Sequence, residues 1–144
     1  MADAKSLRGT RRERPLSPHL QVYSPLINMV ASIMHRVSGA GLYFGALLFA
    51  WWLMAAAIGP DYFNFVNGLF GTWLGRIVLL GFTWLLILHA LGGIRHYIWD
   101  LGRGFDLHTI DKLSWGSLLL SVVLTGLIWL VAGLVGPLAT PIAG

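Results

Sequence analysis

Polar and ionisable side chains occur in two clusters within long apolar segments, where a membrane helix is normally uniformly oily. The clusters are Ser32, His35 and Arg36, and then His89, Arg95, His96 and Asp100. An Arg or Asp side chain at the centre of a membrane helix costs roughly 2.5–3.5 kcal/mol on insertion scales. Residues that carry this cost usually face a site, so the two clusters predict one.

The spacing of the second cluster suits a metal-binding histidine deep in the bilayer, with polar side chains nearer the membrane surface. His89 and His96 are seven residues apart, so both imidazoles project from similar faces of a helix. At 1.5 Å per residue, His89 lies about 10 Å deeper in the bilayer than His96. A neutral imidazole nitrogen is a standard axial ligand of haem iron, and Gly92 and Gly93 leave room for a flat ring or a close helix.

Cations and hydrogen-bond donors near the headgroups suit the propionates of such a haem. His35, Arg36, Arg95 and His96 are predicted to form this rim, with His89 as the ligand of the haem iron. We expect His35 to lie too close to the surface to face His89 across a haem ring. A second axial ligand would then come from another subunit.

Each residue also has a simpler interpretation. A histidine in a membrane helix can merely bond a backbone carbonyl or a serine of a neighbouring helix. Arg36 and Arg95 can extend to the headgroups from span ends, and Gly92 and Gly93 are common types at helix contacts. The co-location of both clusters at one membrane face favours the joint functional interpretation.

The composition indicates an all-α integral membrane protein with one domain. The 144 residues are 56% hydrophobic and 11% charged, whereas soluble domains carry about 25% charged residues. With no cysteine, disulfides, iron–sulfur ligation and thiolate zinc sites are excluded within this chain. The net charge of +4 comes largely from a basic N-terminal tail beside apolar segments, which indicates a topology signal and lipid contact rather than nucleic-acid binding.

Three transmembrane helices are predicted at about 28–58, 75–99 and 113–135, within an anchor domain of residues 26–144. Residues 1–25 form a predicted surface segment with a short helix after Ser17, and residues 60–72 a predicted connector. Lys and Arg are concentrated before the first span and around the second loop. The positive-inside rule therefore predicts a cytoplasmic N-terminus and a periplasmic C-terminus. Without an evident signal or transit peptide, a multi-pass protein of the bacterial inner membrane is expected.

Three motifs resemble the cytochrome b membrane-anchor subunit of succinate dehydrogenase, the larger anchor of respiratory complex II. They are Arg14-Pro15-Leu16-Ser17-Pro18-His19-Leu20 followed by Tyr23, Ser32-Ile33-Met34-His35-Arg36-Val37-Ser38-Gly39, and His89-Ala90-Leu91-Gly92-Gly93-Ile94-Arg95-His96 with Asp100 beyond. The resemblance covers nearly the whole chain, including its length and its three spans.

The resemblance implies that His89 is an axial ligand of one haem b and that a smaller second anchor subunit supplies the other. It implies that Ser32 and Arg36 help to form a ubiquinone pocket, and that His35, Arg36 and His96 lie near the haem propionates. The partners implied are a flavoprotein subunit and an iron–sulfur subunit. Electrons from succinate would pass through the iron–sulfur clusters to quinone.

In that function, the Ser32 hydroxyl would donate to a quinone carbonyl and Arg36 would stabilise the negative charge that develops during reduction. Two alternatives are a quinol:fumarate reductase anchor and a haem-free structural anchor or transporter subunit, whose histidines only pack or relay protons.

Overall fold

The computed structural model describes His19 and residues 23–135, and the described residues form helices without any strand. The helices are α1 (Ile27–Ile58), α2 (Pro60–Gly71), α3 (Trp73–Asp100) and α4 (Leu107–Val135). Three of them, α1, α3 and α4, are long and apolar enough to cross a membrane. The prediction of an all-α protein with three spans is therefore confirmed. The predicted surface helix after Ser17 lies outside the described residues.

Glycine and small residues allow α1 and α3 to approach closely as an antiparallel pair. At four positions, a Cβ placed on a glycine of one helix would meet a side chain of the other. The pairs are Gly92 with His35, Gly39 with His89, Gly41 with Leu85, and Gly45 with Phe82. Because lipid tails are as apolar as the side chains, such close packing is a main source of helix association in a membrane.

Hydrogen bonds between side chains join α3 to α4. Trp84 Nε1 donates to Ser121 Oγ at 3.1 Å, and Trp129 Nε1 donates to Thr83 Oγ1 at 3.3 Å. Ser121 is fully buried. Helix α1 also contacts α4, so the three long helices form one bundle in which each touches the other two.

The segment 60–72, predicted as a connector, is largely the helix α2. Pro60 occupies its first turn, where the missing N–H costs nothing, and Asp61 complements the positive end of the helix dipole. Gly59, at φ 148°, separates α2 from α1 with a backbone conformation that suits glycine. Aromatic side chains hold α2 against α1. Trp51 Nε1 donates a hydrogen bond to the Tyr62 hydroxyl at 3.0 Å, and the Trp52 and Phe63 rings are in contact.

Thr72 connects α2 to α3 without a loop. Its hydroxyl donates to the Leu69 carbonyl at 2.6 Å, at the end of α2, and accepts from the Gly75 N–H at 3.1 Å. Arg76 Nε donates to the Gly71 carbonyl at 3.0 Å, where a cation also complements the negative end of α2. These caps start α3 at Trp73, two residues before the predicted position.

The loop between α3 and α4 is shorter than predicted. Gly102 and Gly104 adopt positive φ angles of 72° and 75°, and Asp106 then caps α4 by accepting from the Thr109 N–H at 2.9 Å. Helix α4 therefore begins at Leu107, six residues before the predicted start at 113. The polar first turns of this helix had the composition of a loop.

Replacement of Asp106 by asparagine should make α4 less sensitive to acid. Hydrogen bonds from the side chain and backbone of Thr109 hold the pKa of the Asp106 carboxyl below its ordinary value of 3.8. A carboxyl with a lowered pKa stabilises the folded state above its unfolded pKa, and this stability is lost as the pH falls through the folded pKa. Below about pH 4, the thermal midpoint of the native protein should therefore drop more than that of Asp106→Asn. Parallel curves in circular dichroism would contradict this role.

Candidate functional site

The packing of α1 against α3 brings the two polar clusters together. The imidazole rings of His35 and His89 stack with centroids 4.1 Å apart and planes inclined by 8°. The His96 ring lies 5.1 Å from the His35 ring at 52°. Three imidazoles from two helices therefore form one cluster, as expected from the predicted antiparallel arrangement.

The expectation that His35 is too close to the surface to face His89 across a haem ring is wrong in its reason. The antiparallel register sets His35 directly beside His89, so depth does not separate the two rings. Carbon atoms in contact are about 3.5–4.0 Å apart, so rings stacked at 4.1 Å leave no space for a third ring between them. In this arrangement, contact rather than depth prevents the two histidines from binding opposite sides of one planar ligand.

Hydrogen bonds to α1 define the protonation of the His89 ring. His89 Nδ1 lies 3.2 Å from the His35 carbonyl oxygen and 3.0 Å from Ser38 Oγ. A carbonyl oxygen can only accept, so the contact with His35 requires a proton on Nδ1. In the neutral imidazole, Nε2 then carries the lone pair. The ring is oriented by α1 and keeps one nitrogen able to bind a metal.

His35 has a polar atom without a partner in the described part of the chain. Its Nε2 is buried and makes no hydrogen bond. The ring packs against Gly92, where any Cβ would occupy the same space. A buried polar atom without a partner is uncommon in proteins. This nitrogen is therefore available to a polar group other than those of the described residues.

Arg95 does not lie on the same face as the exposed His96. Only 3% of Arg95 is exposed; a terminal guanidinium nitrogen donates to Ser114 Oγ at 3.3 Å, between α3 and α4. Its guanidinium lies 5.1 Å from the Trp99 ring, which in turn contacts the His96 ring edge-on at 5.3 Å. Successive residues of a helix project about 100° apart, so Arg95 and His96 lie on different faces of α3. Arg95 is connected to the imidazole cluster through Trp99, which contacts both residues.

Ser32 and Arg36 lie one turn apart on α1, beside His35. Ser32 is half-buried and Arg36 is exposed. A hydroxyl and a guanidinium at this spacing share one side of the helix. Both donors are on the same helix as His35, and both are at least partly accessible from outside the chain.

Two features were not identified from the sequence as part of a site. One is Ser38, which belongs to the motif around His35 but was assigned no role. The other is an apolar cavity of about 330 Å³ between α1, α2 and α3, in the half of the bundle away from the histidines. Gly45 and Phe82 line it, and Asn67 is its one amide side chain. Among the described residues, no titratable group lines this cavity.

Comparison with known proteins identifies the family. A family model for the "Succinate dehydrogenase/Fumarate reductase transmembrane subunit" matches residues 10–128. The chain belongs to this family. The resemblance seen in the sequence motifs is therefore confirmed.

Relatives from bacteria and a mammal match along most of their length. The "Succinate dehydrogenase cytochrome b556 subunit" of Paracoccus denitrificans is 41% identical over 121 residues, which cover 84% of this chain and 93% of the relative. The subunit of the same name from Rickettsia felis is 34% identical, over 81% and 91% of the two chains. The "Succinate dehydrogenase cytochrome b560 subunit, mitochondrial" of Mus musculus is 33% identical, over 83% and 72%.

These matches define the class of this family member. It is a membrane cytochrome b subunit of the succinate dehydrogenase type, one part of an oxidoreductase complex. Three apolar helices agree with a transmembrane subunit.

Substitution of Gly92 tests the helix contact that positions the imidazoles. In Gly92→Ala the new Cβ meets the His35 ring, whereas in Gly93→Ala it meets nothing within 4 Å. Both substitutions raise helix propensity equally, so the difference between them isolates the contact. Gly92→Ala should be less stable than Gly93→Ala by about 1–3 kcal/mol, measured as thermal unfolding of the purified complex. Equal stability would show that the His35 ring moves aside without cost.

Proposed function

We propose that this chain binds one b-type haem together with a second small anchor subunit and forms part of a ubiquinone-reduction site. It would thereby carry electrons that derive from succinate to quinone in the membrane. The observation that carries the proposal is the position of the His89 ring, whose Nδ1 lies 3.2 Å from the His35 carbonyl oxygen of α1. A bond from Nδ1–H to this carbonyl leaves the lone pair on Nε2. The names of the relatives, as cytochrome b subunits, support the same assignment.

The residues present fit one axial bond to a haem iron. His89 offers an imidazole nitrogen in a membrane helix, with the other nitrogen held by a carbonyl as in most metal-binding histidines. When bound, the haem supplies one-electron redox chemistry. The simpler interpretation, a histidine that only bonds a carbonyl, is also satisfied by this contact, and the histidine variant described below distinguishes the two.

The second axial ligand is proposed to come from the partner anchor subunit. His35 is stacked on His89 at 4.1 Å and cannot take the opposite side of the same ring. His96, the other histidine of the cluster, is exposed and packs against His35 and Trp99. These positions support a ligand from outside this cluster.

His35, His96 and Arg36 are proposed to bind the haem propionates. The unpartnered Nε2 of His35 can donate a hydrogen bond to a carboxylate. The His96 ring lies 5.1 Å from the His35 ring, and both His96 and Arg36 are exposed. Arg95 is proposed to support this rim indirectly. Its charge is buried beside Ser114, and Trp99 lies between it and His96.

Ser32 and Arg36 are proposed to bind the quinone head. The Ser32 hydroxyl can donate to one quinone carbonyl, and the Arg36 guanidinium stabilises negative charge while keeping its own proton. Both side chains are at least partly exposed, which allows a ligand to bind between this chain and a partner. A site open at the membrane edge also gives access to the two protons that quinone reduction consumes.

The chain is also proposed to assemble with partner subunits in a membrane. The partners would be a flavoprotein subunit, an iron–sulfur subunit and the second anchor, within a bacterial inner membrane and its lipid. The excess of Lys and Arg before α1 and around the loop after α3 supports a cytoplasmic N-terminus. Reduction of fumarate by quinol is the alternative direction, since the family description includes both enzymes.

Substitution of His89 tests the haem assignment. His89→Ala removes the only proposed ligand of this chain, so the reduced-minus-oxidised spectrum of the purified complex should lose or alter its b-type haem bands. His108→Ala is the matched control, because His108 is exposed at the start of α4 and should leave the spectrum unchanged. An unaltered haem spectrum in His89→Ala would favour a haem-free anchor or a different ligand.

Substitution of Arg36 tests the quinone assignment. Arg36→Ala should lower succinate:quinone reductase activity roughly tenfold, less than the 10²–10³ lost with a fully enclosed oxyanion donor, because Arg36 is exposed. Succinate oxidation with an artificial soluble acceptor should survive. Arg103→Ala, an exposed arginine in the loop after α3, is the control. Equal loss of both activities in Arg36→Ala would argue for a defect of assembly rather than of quinone reduction.

A further inference from the structure

We propose that Ser38 is a positioning residue that shares the Nδ1 proton of the His89 ring with the His35 carbonyl, and thereby sets how strongly the ring binds haem iron and the redox potential of the haem. The inference rests on the proposed haem function. Ser38 would touch neither the haem nor the quinone, and it would act only through His89.

The hydrogen-bond geometry defines the direction of each bond at Ser38. Its hydroxyl donates to the His35 carbonyl, one turn back on α1, at 2.7 Å. A hydroxyl has a single proton, so Ser38 Oγ is left as an acceptor toward His89 Nδ1 at 3.0 Å. The His35 carbonyl accepts from the same N–H at 3.2 Å. The three groups form a closed triangle in which the His89 N–H is shared by two acceptors.

Burial protects the hydrogen bonds of this triangle from competition with water. Ser38 has no exposed surface, so water does not compete for the His89 N–H. Gly39, the next residue, contacts the same ring, since a Cβ there would lie 3.2 Å from His89 Cε1. The ring is thus held by hydrogen bonds along one edge and by the α1 backbone along another.

A shared N–H makes the opposite nitrogen a better ligand. Acceptors on the non-ligating nitrogen raise ligand basicity, and loss of such a partner typically costs 10–100-fold in metal affinity. An imidazole that donates more charge to a bound haem would stabilise its oxidised form. Removal of the Ser38 acceptor should therefore weaken haem binding and shift the haem midpoint potential in the positive direction.

The bundle contains a matched serine that holds no ligand. Ser121 is also fully buried, donates to a carbonyl three residues back at 2.7 Å, and accepts a ring N–H from α3, that of Trp84, at 3.1 Å. Ser121→Ala therefore removes an equivalent hydrogen bond between helices without touching His89. It separates an effect on the haem ligand from a general loss of helix packing.

The test compares the purified native complex with Ser38→Ala, Ser38→Cys, Ser38→Thr and Ser121→Ala. Ser38→Cys keeps the side-chain shape with a slightly larger atom and replaces a strong acceptor with a weak one, and Ser38→Thr keeps the hydroxyl. Redox titration of the haem bands gives the midpoint potential, and transfer of haem to an apo-globin gives the dissociation rate. Thermal unfolding of each complex serves as a measure of packing.

Ser38→Ala and Ser38→Cys should share a positive potential shift and lose haem about tenfold faster. Ser38→Thr should retain native values, and Ser121→Ala should lose thermal stability with the potential unchanged. Native potential and haem retention in Ser38→Ala would overturn the inference, as would an equal shift in Ser121→Ala. Absence of b-type haem from the native complex would instead overturn the proposed function itself.

Discussion

The close antiparallel contact of α1 with α3 is the constraint on which the rest of the site depends. Each helix places an imidazole against a glycine of the other, His35 against Gly92 and His89 against Gly39. No larger residue fits at Gly92 without displacing the ring, so the separation of the helices and the positions of the imidazoles are set together. Two polar side chains are thereby accommodated in an apolar bundle, where the cost of burying them is offset by contacts that no lipid can replace.

This contact also decides what each polar residue can do. Because His89 faces the backbone of α1, the His35 carbonyl and Ser38 hold one ring nitrogen and leave the other with a lone pair. Because His35 is stacked on His89, it cannot complete the same ligand set and instead keeps an unpartnered nitrogen toward the rim. The ligand and one donor of the rim, two parts of the proposed haem site, thus arise side by side from one helix crossing. The half-buried Ser32 and the exposed Arg36 lie on the same helix as His35, as the proposed quinone site requires.

Prediction from the sequence succeeded where a signal is carried by many residues and failed where it depends on a few. Apolar runs long enough for a membrane identified three spans, and the paired motifs identified the family. The ends of the helices were less accurate: α2 was predicted as a connector, and α4 begins six residues earlier than expected. Aromatic residues of α2 suited an interfacial connector as well as a helix, and the polar first turns of α4 resemble a loop. The caps at Thr72 and Asp106 depend on the hydrogen bonds of one side chain each, which composition does not reveal.

The sequence by itself determined the class of the protein and the residue types of its site, because membrane burial makes each ionisable residue costly and therefore informative. It also placed His35 and His89 near one membrane face, through the alternation of three spans. Only the tertiary structure decided which of these residues touch. It stacked His35 on His89, turned Arg95 away toward Ser114, and brought Ser38 onto His89 Nδ1. The physical reason is that these contacts depend on the rotation and register of one helix against another, which the side-chain packing of the whole bundle sets.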